Sequence, residues 1–157
     1  MRLSEKMKKV PLLASADITA GVDSDSINMS DYNDASFDIV FGPSYAGAAG
    51  AIIKLFSGAT VGAKTTALTF NYRYTGGAIK AASADILSTE ATSAALQIAT
   101  ATMASRLLTI EVDAAEMAAG HSWLTLEIGA EADAGEMTIT AHLTPKYQSA
   151  AGVTCLT

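Results

Sequence analysis

The chain has 157 residues, of which 50% are hydrophobic but only 6% aromatic and 17% charged, and its formal net charge is −6. This is enough apolar material for one globular domain with a core of small side chains, and it excludes a disordered tail, a collagen or coiled-coil repeat and other low-complexity chains. No apolar run is long enough to span a bilayer as a helix, and the spread of charge disfavours nucleic acid as the main partner. Arg2, Lys6, Lys8 and Lys9 make the first nine residues basic, whereas from residue 10 onward six bases face fifteen acids. An acidic body of that kind repels phosphate backbones.

In chain order, residues 1–13 read as an extended basic arm. The stretch Val10-Pro-Leu-Leu-Ala-Ser-Ala16 has small residues spaced as at a signal cleavage site, but it is short and interrupted by proline, so export is not expected. Next comes an acidic, turn-rich lead with Asp17, Asp23, Asp25, Asn28, Asp31 and Asp34. Hard oxygen groups at this density suit Ca²⁺, yet Asp23-Ser-Asp25-Ser-Ile-Asn28 has no central glycine, puts Ile27 at a ligand position and lacks the closing glutamate of a calcium loop. The expected use of these side chains is in Asx-type turns.

Alternation of apolar and polar residues then predicts a strand over 36–41, ended by Gly42-Pro43, and another over 51–56, with residues 44–50 as a flexible loop between them. Gly58-Ala-Thr-Val-Gly62-Ala-Lys64-Thr65 looks at first like a phosphate-binding loop. Ala63 stands where a glycine must precede the lysine and no helix pattern follows, so it reads as a β-turn. Residues 66–74 form the clearest strand, with Leu68, Phe70, Tyr72 and Tyr74 on one side. Residues 89–104 are alanine-rich but lean to strand, with a weaker strand over 95–99.

Further strands are predicted at 108–113, 123–128 and 137–144, and Asp113 with Glu116 suggests a short capped helical turn. Turns fall at Ala119-Gly120, Gly129–Gly135 and Pro145. Strands at this spacing, each with one buried side, predict an all-β, antiparallel, jelly-roll-like β-sandwich over 14–147, with extended termini (1–13 and a tail at 148–157) and at most a short helical turn.

The chemistry-bearing residues are sparse. His121 and His142 stand outside any metal-ligand spacing, no Gly-x-Ser-x-Gly elbow places a nucleophilic serine, and Cys155 has no base near it in sequence. A single cysteine cannot close an internal disulfide, which fits a reducing compartment. The expectation is a non-enzyme with no cofactor and no metal. Trp123, Tyr72 and Tyr74 leave a carbohydrate-binding sandwich as one alternative.

From Ala16 through Gly42, where Tyr32 leads into a strand ending in glycine, and on through Leu107–Asp113, Trp123–Ile128, Met137–Leu143 and Pro145-Lys-Tyr147, the order of strands and turns resembles small virion proteins of tailed bacteriophages. The resemblance implies a capsid decoration (cement) protein: a jelly-roll-like sandwich, often trimeric, on the outer surface of an icosahedral head. It is made in the host bacterial cytoplasm and its partner is the major capsid protein; neither nucleic acid nor membrane is implied. A head–tail connector or tail component is the other virion role. Partner contacts are expected at Arg2, Lys6, Lys8, Lys9 and Tyr147, since the termini are the parts free to lie over neighbours.

Overall fold

In the computed structural model, residues 6–45, 50–97, 100–130, 135–147 and 154–156 are described. Among the described residues, twelve strands form two six-stranded antiparallel sheets. The first sheet joins β1 (Lys8–Asp17), β12 (Glu136–Pro145), β4 (Tyr32–Phe41), β10 (Leu107–Asp113), β7 (Phe70–Tyr74) and β8 (Ala91–Ser93), in that order. The second runs β2 (Val22–Asp23), β11 (Trp123–Ile128), β5 (Ile52–Gly58), β6 (Thr66–Leu68), with β3 (Ile27–Asn28) also on β11 and β9 (Leu96–Gln97) also on β5.

The pairing is nested: β1 with β12, β2 with β11, β4 with β10, β5 with β6. A long hairpin rolled up in this way, so that successive pairs fall alternately in two sheets, is a jelly roll. The expected all-β sandwich is therefore the fold. The segment from β7 to the helical turn Thr100–Met103 is an excursion inserted between β6 and β10, and it widens the first sheet from four strands to six.

Alternation decides which side chains enter the core. Phe37, Ile39 and Phe41 of β4 meet Leu108, Ile110 and Val112 of β10 and Met137, Ile139, Ala141 and Leu143 of β12, and from the other sheet Ile53, Leu55, Leu124, Leu126 and Ile128 close over them. Each of these side chains is buried, and together they supply the main driving force for folding.

Four expectations need correction. The basic arm does not extend to residue 13, because Lys8–Leu13 are the first part of β1, with Val10 and Leu12 buried. The tail is not free along its described length: Cys155 is buried, and its carbonyl accepts a 2.9 Å hydrogen bond from the Asn28 N–H. Residues 66–74 are two strands, since the chain crosses from one sheet to the other at Thr69. Residues 89–104 divide into β8, β9 and the helical turn. The loop expected at 44–50 and the turn at Gly129–Gly135 fall largely outside the described residues.

Candidate partner-binding surface

Because alternate residues of each strand point away from the core, the outer face of the wide sheet is a grid that can be read from its register. One row crosses all six strands as Lys9, His142, Ser36, Glu111, Asn71 and Thr92. The next carries Pro11, Thr140, Asp38, Thr109 and Arg73. On one side of these rows lie Thr144, Asp34 and Asp113; on the other lie Thr138, Val40 and Leu107. The face thus grades from acidic to aliphatic across a middle of mixed hydroxyl, amide and charged side chains.

Asp34 and Asp113 stand directly opposite one another, with Glu111 and Glu116 lining the same shallow depression. Facing like charges cost stability in a sheet. In the middle rows the polar groups satisfy each other: His142 Nε2 lies 3.1 Å from Asp38 Oδ2, and Thr109 Oγ1 donates to Asp38 Oδ1 at 2.9 Å. Arg73 donates to Glu90 at 2.9 Å, and this contact holds its guanidinium even more firmly protonated.

The outer face of the second sheet is tied down rather than open. Lys64 donates to Asp23 at 2.9 Å and to Glu127 at 2.6 Å, so its ammonium pKa is raised, chiefly by the Glu127 hydrogen bond. Ser26 accepts the Gly62 N–H at 2.9 Å and sits 2.8 Å from Thr125 Oγ1. The segment Gly58–Thr65 is the β5–β6 turn, as its spacing implied. Its shape depends on Gly58, where an added Cβ would come within 2.2 Å of the Ala63 carbonyl oxygen.

Those of the expected partner-binding residues that are described lie near one corner. Arg2 is outside the described residues, Lys6 is exposed, and Lys8 and Lys9 begin β1 opposite Leu143 and His142. Tyr147 follows the same end of β12 and is 68% exposed. Lys9 belongs to the outer face. Lys8 has the opposite parity, and its charge acts on Cys155.

Behind that corner, burial pushes the Tyr32 hydroxyl up to about 12, with Cys155 and Asp31 adding to the shift, and burial also raises the Cys155 thiol. A thiol kept protonated and covered is a poor nucleophile.

The other candidates do not converge. His121 Nδ1 is 2.9 Å from the hydroxyl of Ser57, which is fully buried. Among the described residues no cluster of His, Cys, Asp and Glu has a metal-binding arrangement. The acidic lead forms turns: Asp17 accepts the Thr19 N–H at 2.8 Å, Asn28 accepts the Ser30 N–H at 3.0 Å, and Asp23 is held by Lys64. Tyr72 and Tyr74 pack against the core while Trp123 begins β11 in the other sheet, so the three rings make no common platform.

Sequence reasoning missed the exposed aliphatic residues of the excursion: Ile79 (51%), Ile86 (60%) and Leu87 (45%). The sequence signal was three large aliphatics in a Gly/Ala/Ser-rich stretch that fits no strand or helix period. Leu87 bridges Thr75, whose N–H donates to the Leu107 carbonyl, so the aliphatic row of Val40 and Leu107 continues into this segment.

Comparison with protein-family models finds no match, and no curated protein matches the chain. Among solved structures, the crystal structure of the SPBc2 prophage-derived protein YomS is similar to this chain with a TM-score of 0.49 and 12% sequence identity, over 87% of this chain and 91% of that one.

Proposed function

We propose that the chain is a non-enzymatic virion protein that binds the outer surface of a phage icosahedral head and stabilises it, with the major capsid protein as its partner. The observation that carries this reading is the outer face of the wide sheet. Six strands at about 4.8 Å spacing and about 3.3 Å per residue make a face on the order of 800 Å², the area each partner commits in a stable protein–protein contact. Beside Lys9, Glu111 and an Arg73 paired with Glu90, its middle rows hold Ser36, Asn71, Thr92, Thr109 and Thr140 and an Asp38 already bonded to His142 and Thr109. Such groups are covered by a partner at lower desolvation cost than free charges. The order of strands and turns supports the same reading through its resemblance to phage cement proteins. Many copies on a symmetric shell would turn a modest contact into firm attachment.

Co-sedimentation with purified heads that lack the protein tests the surface. Replacing Thr140 and Thr109 with lysine should abolish attachment while circular dichroism stays unchanged. Removing residues 1–7 should weaken attachment and leave the domain folded, because β1 starts at Lys8. Attachment that survives the lysine substitutions would overturn the assignment of this face, and a copy number near a dozen per particle would favour a connector or tail role.

A further inference from the structure

Asp38 stands near the centre of the outer face, on β4, where a shell would cover it. Thr109 Oγ1 donates to its Oδ1 at 2.9 Å, and His142 Nε2 lies 3.1 Å from its Oδ2, with the His142 side chain 18% exposed and that of Asp38 33%. The other bases of the face are engaged elsewhere or held apart. Arg73 is paired with Glu90, and the Lys146 ammonium donates to the Ser30 carbonyl. Lys9 begins β1, and all of β12 lies between it and Asp38. Among the described residues no lysine or arginine forms an ion pair with Asp38, so His142 is the group placed to neutralise it. The register shows what else faces the imidazole. On β4 it is opposite Ser36, with Asp34 and Asp38 two residues to either side; on β1 it is opposite Lys9; on β10 Glu111 follows Ser36 in the same row. The ring therefore sits among three carboxylates and one ammonium group.

We propose that attachment to the shell is proton-linked through His142: covering the outer face draws a proton onto the imidazole, so that His142 and Asp38 are buried together as a matched ion pair. The inference rests on the head-binding reading, whose site it regulates. In the free chain, water screens the Asp38 carboxylate whichever form His142 takes. Once a partner excludes that water, a carboxylate beside a neutral ring is a covered charge without a counter-charge, whereas a carboxylate beside an imidazolium is a compensated pair. The proton goes to the ring rather than to Asp38 for two reasons. Imidazole is the side chain that ordinarily changes charge between about pH 5 and 8. The Thr109 hydroxyl, moreover, already donates to Asp38 Oδ1, a bond that favours the ionised carboxylate. A proton taken up on attachment makes attachment tighter as pH falls and weaker as pH rises.

The test is co-sedimentation with purified heads that lack the protein, over a range of protein concentrations at about pH 6 and about pH 8, for the unaltered full chain, His142→Gln and Asp38→Asn. Circular dichroism checks that each is folded at both pH values. For the unaltered chain the dissociation constant should be at least about tenfold lower at the acid pH. In His142→Gln the ring that takes the proton is gone, and the two constants should agree within about twofold. Asp38→Asn removes the charge that needs matching and should attach more tightly than the unaltered chain at the alkaline pH, a gain that a purely structural role for the pair would not give. Attachment of the unaltered chain that fails to tighten at the acid pH, or a pH dependence that survives His142→Gln, would overturn the inference and leave the head-binding reading standing. No attachment at either pH would overturn that reading and the inference with it.

Discussion

The eight nested strands and the excursion between β6 and β10 obey different physical demands. In the roll, the long strands each have one side sealed against the opposite sheet, and Phe37, Ile39, Leu55, Leu108, Leu124 and Leu126 have almost no contact with water. In the excursion, Phe70 and Met103 are buried, but Ile79, Ile86 and Leu87 are exposed. The roll accounts for stability. The excursion contributes a few core side chains but widens the outer face and leaves large aliphatics uncovered.

That contrast can be broken by mutation. The largest effect is expected for Phe37→Ala, which should cost about 3–5 kcal/mol by denaturant unfolding, whereas Ile86→Ala should change stability by no more than about 0.5 kcal/mol. Equal losses at the two sites would remove the distinction. Gly58→Ala should cost about 1–3 kcal/mol, since the new methyl meets the Ala63 backbone and the β5–β6 turn must shift to admit it. An unchanged midpoint would show that this turn is not held as tightly as the rest of the roll.

The buried corner of the roll also predicts a pH response. Tyr32 has its pKa raised from 10.0 to about 12, so its contribution to stability is complete below pH 10 and is lost as pH rises through 12. Unfolding midpoints measured across that window should fall, and less steeply for Tyr32→Phe. A parallel fall in both proteins would assign the alkaline transition to other groups. The smallest effect concerns the acidic end of the outer face: Asp34→Asn removes one of two facing carboxylates and should raise stability by about 0.2–1 kcal/mol. A loss of stability there would mean that the pair is compensated.

The same division explains what could be read from the sequence. Residues 36–41, 108–113, 123–128 and 137–144 show period-two alternation because one side of each strand is sealed, and their strands lie close to where the pattern puts them. Alternation also ran unbroken through 66–74, although the chain changes sheet at Thr69. Both sheets face one core, so the pattern records burial and is silent about which sheet does the burying. β1 was hidden by features that suit an edge strand: Pro11, the lysines and the bulges that place Leu12 and Leu13 in succession look like a linker.

β2 and β3 have two residues each and are held by distant partners. Ser24 accepts the Leu126 N–H at 3.1 Å and Ser26 bonds Thr125, contacts about a hundred positions away that no local signal carries. The candidate surface was legible only in part. Lys9 and Tyr147, expected as partner contacts, sit at its corner, but its rows exist only through the register of six strands, and the aliphatic edge depends on which residues the excursion leaves uncovered.

Under the proposed function, the broad face of the wide sheet lies against the outside of a head shell. Cryo-electron microscopy of particles carrying the protein tests it most directly. The account predicts a two-sheet density on the outer capsid surface in hundreds of copies, with Thr109 and Thr140 against the shell; absence from that surface, or a shell contact made by the β5–β6 side of the roll, would contradict it.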